Sequence, residues 1–331
     1  MFKKVLMTAA AMSLVAGAAS AQDFPERELL GVIMWGAGGA TDVVARAVPP
    51  AAEEALGGSI VMLNRAGASG AIATTYVATA PADGYTLLYG AENPQLYGVT
   101  GLSELDYADF YPVNILGRGV GVIVTAPDAP WDSFAELVAD AQERPGEIRM
   151  GSTGPGGIPF TIGAMLSTVA EYEVTAVPFE GEGPGLTALQ GGHIDYMPVG
   201  ASAAADLIEA GTVKALAVFD NQEVPALPGI PPITDEFPEL DAQLPWGPFY
   251  GVFVRADTPD DIKQELTEAF EVAANTSDFQ RLMAERSNIV MNISGARAAE
   301  FLAQWQSSTA WALYDAGAAE RSPEEFDIPR P

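Results

Sequence analysis

The feature that most constrains the fold is a unit of strand, glycine-rich turn and helix that occurs repeatedly along the chain. Its first occurrence predicts a strand over 28–34, the turn GAGGA and a helix over 41–56. A later occurrence predicts a strand over 148–152, the turn TGPGGIP and a helix that continues to residue 170. Alternating strands and helices are typical of parallel sheets covered by helices. The sequence therefore predicts an α/β protein in which each domain is a mainly parallel sheet flanked by helices.

The order of these units also predicts two domains. A second series begins with a strand over 121–125, and a proline-rich stretch over 225–238 follows it. A strand predicted over 250–254 returns the chain to the first unit. We therefore expect a domain 1 from 22–120 plus 247–331, a domain 2 over 121–246, and a ligand cleft between them.

The first residues have the pattern of a secretory signal peptide, predicted over 1–21. Two lysines precede an apolar run over 5–17, and the small residues ASA at 19–21 form a cleavage site. The apolar run is short for a membrane span, although an uncleaved anchor stays an alternative. This pattern predicts export to the periplasm. The chain has no cysteine, which excludes disulfides, thiol catalysis and a lipid-bearing N-terminal cysteine.

The charge balance excludes one class of partner. The chain has 16 Lys and Arg against 44 Asp and Glu, and a formal net charge of −28. A nucleic-acid-binding surface needs a basic patch, which this composition does not provide. We therefore expect no nucleic-acid partner.

The first glycine turn is better suited to a small anion than to a dinucleotide. GAGGATD lacks the G-x-G-x-x-G spacing, and Asp42 would lie close to a bound phosphate. No cofactor is therefore expected. The free N–H groups where a helix begins suit a carboxylate, and Gly38 and Gly39 are expected to hold their amides against it, where a Cβ would interfere. Asp42 has two interpretations, a cap of the helix or a ligand contact.

The second turn, TGPGGIP, lies at the corresponding place in the second unit. Ligands of open α/β sheets bind beyond the carboxyl ends of the strands. Two glycine-rich turns, one in each domain, could therefore hold an acidic ligand from both sides. Either turn alone would be weak evidence, whereas the pair is considerably stronger.

The rival class is an exported hydrolase. Ser152 lies at a strand end, but no G-x-S-x-G surrounds it, and the chain's one histidine, His193, is expected at the surface. A metal site is not expected either, because the acidic residues show no metal-binding spacing. The sequence predicts a protein that is not an enzyme.

The motifs, taken together and in order, resemble those of one family over almost the whole mature chain. They are WGAGGATDVVAR (35–46), LNRAGASG (63–70), PADGYTLL (81–88), GSTGPGG (151–157) and VPFEGEGPGLTALQGGHIDYM (177–197). IEAGTVKALAV (208–218), LPGIPPITD (227–235) and ADTP (256–259) continue the resemblance. The family is that of the solute-binding proteins of tripartite tricarboxylate transporters, also called Bug receptors.

The resemblance implies a two-domain periplasmic-binding-protein fold whose cleft closes on a carboxylate. It also implies delivery to a large and a small membrane subunit of the transporter, and the receptor is expected to act as a monomer. A sensory receptor for a membrane kinase stays an alternative, because it would also use the closed state. The implied ligand-binding residues are Trp35, Ala37, Gly38, Gly39, Thr41 and Asp42 in the first turn, Ser152, Thr153, Gly154, Gly157 and Ile158 in the second, and Glu92, Phe179, Gly181, Val199 and Gly200 beside them.

Several positions depart from the family pattern. Phe160, Glu180 and Val199 stand where the family commonly has His, Lys and Asp, and Glu92 lies in a loop that is shorter than usual. These changes remove positive and polar side chains near the cleft, while Trp35 adds an apolar wall. We therefore expect a mono- or dicarboxylate to bind more tightly than citrate, and Glu92, if it points inward, to favour a ligand with a hydroxyl or an amine.

Overall fold

The computed structural model describes residues 24–331. The predicted signal peptide therefore lies outside the described residues. The strands are β1 Leu29–Ile33, β2 Ile60–Asn64, β3 Thr86–Gly90, β4 Phe110–Arg118, β5 Gly121–Thr125, β6 Arg149–Ser152, β7 Thr175–Pro178, β8 Tyr196–Gly200, β9 Lys214–Phe219, β10 Phe249–Arg255 and β11 Ile289–Ile293. The helices are α1 Ala40–Ala47, α2 Pro49–Leu56, α3 Ala71–Ala78, α4 Phe134–Glu143, α5 Ile158–Ser167, α6 Glu182–Gln190, α7 Ala201–Glu209, α8 Asp260–Ala274, α9 Ser277–Glu285 and α10 Gly295–Asp315.

The strands form two sheets, and this confirms the predicted α/β class. The first sheet has six strands in the order β11-β4-β10-β3-β1-β2, and the second has five in the order β7-β6-β8-β5-β9. We call the parts of the chain that carry these sheets the first and the second unit. Helices flank both sheets.

Both sheets are mixed, and in each of them most strands run in one direction, so the prediction of mainly parallel sheets is confirmed. In the first sheet β1 pairs in parallel with β2 and β3, whereas β10 runs antiparallel to β3 and β4. In the second, β5 runs antiparallel to β8 and β9. Helical crossovers impose parallel pairing only on strands that they connect. Before β5 and before β10 the chain arrives from the other sheet, with no helical crossover within the same sheet. Parallel pairing is therefore not imposed on these two strands.

The predicted helix over 41–56 is two helices. Proline has no N–H and fixes its own φ, so Pro49 begins α2 rather than continuing α1. Gly57 ends α2 in the left-handed region, with φ 66°, and donates its N–H to the carbonyl of Glu53. The turn between α1 and α2 leaves α1 short, with its N-terminus at the end of β1.

The chain passes between the sheets twice, after β4 and before β10. These two segments lie together, because the N–H of Gly119 donates to the carbonyl of Pro248 at 2.8 Å. An aromatic cluster continues across this side of the molecule: the ring of Trp246 lies 6.0 Å from that of Phe219 in β9 and 6.1 Å from that of Trp305 in α10. The units are therefore joined on this side through a packed core. No helix among residues 24–331 is long and apolar enough to cross a membrane.

Candidate functional site

The two glycine-rich turns face each other where β1 and β6 end. The first turn leads from β1 into α1, and the second leads from β6 into α5. Between them lies a narrow cavity, in which a water-sized sphere finds only about 10 Å³. The residues that line it are Trp35, Gly39, Ala40, Thr41, Glu92, Thr153, Ile158 and Glu182. Six of them belong to the predicted ligand-binding set, and they come from both units.

Hydrogen bonds join the two units around this cavity. They run from the N–H of Gly36 to the carbonyl of Glu180 (3.2 Å), from the N–H of Ala40 to Oε2 of Glu182 (2.9 Å), and from Oγ of Ser69 to the carbonyl of Thr153 (3.1 Å). Glu182 also accepts the N–H of Gly200 through Oε1, at 2.6 Å. The carboxylate of Glu182 thus connects the start of α1 to the end of β8.

Two helix N-termini point their main-chain donors at the cavity. Thr41 is the second residue of α1 and Ile158 is the first residue of α5, and both line the cavity. The first N–H groups of a helix have no acceptor within the helix. Among the hydrogen bonds of residues 24–331, none takes up the N–H of Thr41 or of Ile158. These amides can therefore receive a carboxylate, with the helix dipoles adding to the attraction.

Two acidic side chains are buried in the same cavity. Glu92 is 1% exposed and Glu182 is 7% exposed. Burial, with a smaller contribution from the charge of Glu182 and against a hydrogen bond from the main chain of Glu92 itself, raises the pKa of Glu92 to about 8. Burial also raises the pKa of Glu182 to about 7, against the effect of the amides of Ala40 and Gly200. No Lys, Arg or His is present among the lining residues. The cavity therefore combines amide donors with carboxylates that have no cationic partner in its wall.

The loop that carries Glu92 is held firmly from behind. The N–H of Ala91 donates to Sδ of Met34 at 3.0 Å, and the hydroxyl of Tyr107 donates to the carbonyl of Ala91. Gln95 donates through Nε2 to the carbonyl of Leu302 in α10 at 2.7 Å. These bonds fix the main chain on both sides of Glu92 and keep its side chain directed inward.

Asp42 is engaged by groups of its own unit. Its carboxylate accepts the N–H of Gly38 (2.9 Å), Nε of Arg46 (2.8 Å) and Nδ2 of Asn64 (2.7 Å). The N–H that Asp42 accepts precedes the N-cap residue Gly39, so its side chain does not cap a free amide of α1 itself. Its side chain closes the first turn rather than lining the cavity.

The two predicted gripping glycines behave differently. Gly38 has φ +80°, which favours glycine, but Asp42 takes up its N–H. Gly39 lines the cavity with φ −77°, and a Cβ there would find its nearest neighbour at 3.5 Å. The protein alone would therefore accept a Cβ at Gly39, because its backbone is extended and there is room beside it, and interference with a bound ligand stays a prediction.

The predicted residues outside the cavity divide into two sets. Gly154 and Phe179 line a neighbouring groove, which also includes Trp35 and Thr153 of the cavity wall. Residues outside both linings are Ala37, Gly38, Asp42, Ser152, Gly157, Gly181, Val199 and Gly200. Val199 is fully buried among the apolar side chains of the second unit, so its side chain packs in the core and does not reach the cavity.

Sequence reasoning did not select Ala40 and Glu182. Ala40 begins α1 and contributes a main-chain donor, which its side chain does not reveal. Glu182 stands in the motif EGEGPG, but its acceptor role depends on Ala40, 142 positions away. No local signal distinguishes Glu182 from the neighbouring Glu180, which is exposed.

The chain's one histidine does not lie at this cavity. His193 is exposed and precedes β8, whereas Gly200, which bonds to Glu182, ends that strand. Within residues 24–331 no group of three or more His, Cys, Asp or Glu side chains is placed to hold a metal ion.

Comparison with known proteins gives one consistent family. The profile of the tripartite tricarboxylate transporter family receptor matches residues 44–312. Protein BugT of Bordetella pertussis is 31% identical over 241 residues, which are 70% of this chain and 72% of BugT.

Three solved structures have folds similar to that of this chain and sequences 25–27% identical to it. Periplasmic binding protein BugD has a TM-score of 0.84 and 25% identity, over 90% of this chain and 100% of BugD. A Rhodopseudomonas palustris protein with adipate has a TM-score of 0.81 and 27% identity, over 89% of this chain and 99% of that one. MatC from Rhodopseudomonas palustris with bound malate has a TM-score of 0.80 and 26% identity, over 88% of this chain and 100% of MatC.

Proposed function

Because the chain belongs to the tripartite tricarboxylate transporter receptor family, we propose that it is a periplasmic receptor that captures an organic carboxylate between its two units and delivers it to the large and small membrane subunits of such a transporter. The observation that carries this proposal is the meeting of two helix N-termini, with the free amides of Thr41 and Ile158, across one cavity. Ligand binding of this kind requires no catalysis and no cofactor.

Closure of two domains is the second part of the proposal. Residues 22–120 with 247–331 would move as one body against 121–246, about the paired segments at Gly119 and Pro248. The bonds from Gly36 to Glu180 and from Ala40 to Glu182 would form on closure, because each joins one body to the other. Opening the cleft would then expose the cavity to solvent and admit a solute that the narrow closed form encloses.

The wall of the cavity favours a small acid. Citrate would bring three carboxylates, and no Lys, Arg or His lines the cavity to balance them. Malate is bound by MatC and adipate accompanies another relative, and both are dicarboxylates. We therefore propose a mono- or dicarboxylate as the ligand, in a monomeric receptor.

A thermal-shift screen of organic acids on the purified protein tests the carboxylate-receptor proposal. A ligand at about 100 times its dissociation constant should add about 2.7 kcal/mol to the free energy of unfolding. We expect a stabilising shift with at least one mono- or dicarboxylate, and calorimetry should rank that acid above citrate. A screen in which no carboxylate moves the melting curve would contradict the proposal, and citrate as the tightest ligand would contradict its ligand class.

A further inference from the structure

The two carboxylates in the cavity wall indicate what kind of ligand the cavity binds. This inference rests on the proposed function. We propose that the captured solute is an amino acid or a related aminocarboxylate, whose ammonium group is bound by Glu92 with the support of Glu182. The carboxylate of the same solute would lie at the amides of Thr41 and Ile158.

Glu92 is the acid that lacks a partner. Its Oε2 is buried, and among the described residues it has no hydrogen-bond partner. Leaving a buried polar atom without a partner is unfavourable, and more so when the atom carries charge. An ammonium group has three donors and a positive charge, so it would satisfy both the orphan oxygen and the charge.

The chain pairs its other buried or half-buried acids with its own groups. Asp42 has Arg46 at 2.8 Å, and Asp195 has Arg149 at 2.7 Å. Glu182 accepts two amides, from Ala40 and Gly200. Oε1 of Glu236 also lacks a partner, but Glu236 is only half-buried and is not among the residues that line the cavity. Glu92 combines such an oxygen with nearly complete burial and a place in the cavity wall. Its partner is therefore expected to come from the ligand.

Two further features of the wall suit a cation. Glu182 lies on the same cavity, and its negative charge raises the pKa of Glu92, so the two carboxyl groups are electrostatically coupled. An ammonium between them would remove their mutual repulsion. The indole of Trp35 also lines the cavity, and an aromatic face attracts a cation.

The proposal is distinguished from its rival by the ligand's substituent. If Glu92 binds in its protonated form, it would donate to a hydroxyl or to a second carboxylate, and an amine would give no advantage. Calorimetric titration should therefore use matched triples with amino, hydroxyl and hydrogen substituents on one skeleton: alanine, lactate and propionate; aspartate, malate and succinate; glutamate, 2-hydroxyglutarate and glutarate.

We expect the amino member of the best-fitting triple to bind at least about tenfold more tightly than the other two, a difference of about 1.4 kcal/mol. Glu92→Gln should remove that preference, since an amide carries no charge, while the deaminated acids should change much less. The matched control is Glu54→Gln, on an exposed residue of α2, which should keep the wild-type preference.

The outcomes separate this inference from the proposed function. A hydroxyl or unsubstituted acid that binds as tightly as its amino analogue, or a preference that survives Glu92→Gln, overturns the inference and leaves the carboxylate receptor intact. Failure of all nine compounds also overturns the inference. Only that failure together with a negative thermal-shift screen would remove the carboxylate receptor as well.

Discussion

Gly183 offers a way to hold the two units apart without disturbing either one. It is the second residue of α6, and a Cβ on it would overlap the carbonyl oxygen of Ala37 in the first turn and lie 3.1 Å from the carbon of that carbonyl. Both atoms belong to the main chain of the other unit, so neither can rotate away. Within its own helix alanine is favoured over glycine by about 0.5–1 kcal/mol. We therefore expect Gly183→Ala to leave the second unit folded and to prevent full closure.

The size of the effect follows from the hydrogen bonds that join the two units at this contact. A neutral main-chain bond, such as that from Gly36 to Glu180, contributes about 0.5–1.5 kcal/mol, and a bond to a charged group, such as that from Ala40 to Glu182, about 1.5–3 kcal/mol. Losing both would destabilise the form in which the units touch by about 2–4.5 kcal/mol. One factor of ten is about 1.4 kcal/mol, so separation of the units should become roughly 30-fold to 1500-fold more favourable.

Hydrogen exchange measures the separation of the units directly, because the bonds between the units protect the amides of Gly36 and Ala40 from exchange. In Gly183→Ala both amides should exchange faster by that factor, while the amide of Val122 in the core strand β5 should not change. The control is Gly163→Ala in α5, where the nearest atoms to a new Cβ are 3.9 Å away on a flexible methionine. If protection at Ala40 in Gly183→Ala stays within about twofold of the wild type, the reasoning about this contact is refuted.

Three other expectations can be checked on the same protein. Glu92→Gln should be more stable than the wild type at pH 8, by up to about 4 kcal/mol, and equal to it near pH 4. The pKa of Glu92 is raised to about 8 from an ordinary 4.5, so its contribution to stability is present below pH 4.5 and is lost as the pH rises from there through 8. Denaturant unfolding at each pH, with Glu54→Gln as control, measures this, and a pH-independent difference would contradict it. Gly38→Ala, at φ +80°, should lower the free energy of unfolding by about 1–2 kcal/mol, whereas Gly39→Ala should change it by less than about 0.5 kcal/mol; equal melting temperatures would disprove this. His193→Ala should leave the affinity for the tightest acid within about twofold, because His193 is exposed, and a larger loss in calorimetry would return it to the site.

Elements with a local signal could be predicted, and elements that depend on distant partners could not. Ser133 caps α4 by accepting the N–H of Glu136, and both residues are adjacent in the sequence to the apolar pattern of that helix. Strand β4 contains Pro112 and Asn114, which interrupt the apolar pattern expected of a buried strand, and it forms because β10 and β11 pair with it. The latter strands lie more than 100 residues further along, so no window of sequence around β4 contains the reason for it.

The site likewise has a part that local motifs predict and a part that depends on distant contacts. Turns that end a strand and begin a helix are visible as glycine-rich motifs, and the structure brings Trp35, Thr41 and Ile158 to one cavity as such motifs suggest. The burial of Glu92 and the bond from Ala40 to Glu182 depend on how two units meet. The burial of Glu92 and its electrostatic interaction with Glu182 arise from the contact between the two units. They cannot be predicted from the residues on either side of Glu92 in the sequence.

The place of β10 has a consequence for the order in which the protein can fold during synthesis. Strand β4 has no bond to β3; its neighbours are β10 and β11. A ribosome releases residues 110–118 well before 249–255, so β4 must wait for its partners while β5 to β9, which form a sheet of their own, can already assemble. The second unit can thus serve as a folded insert, and the first unit is completed only when the last third of the chain has emerged.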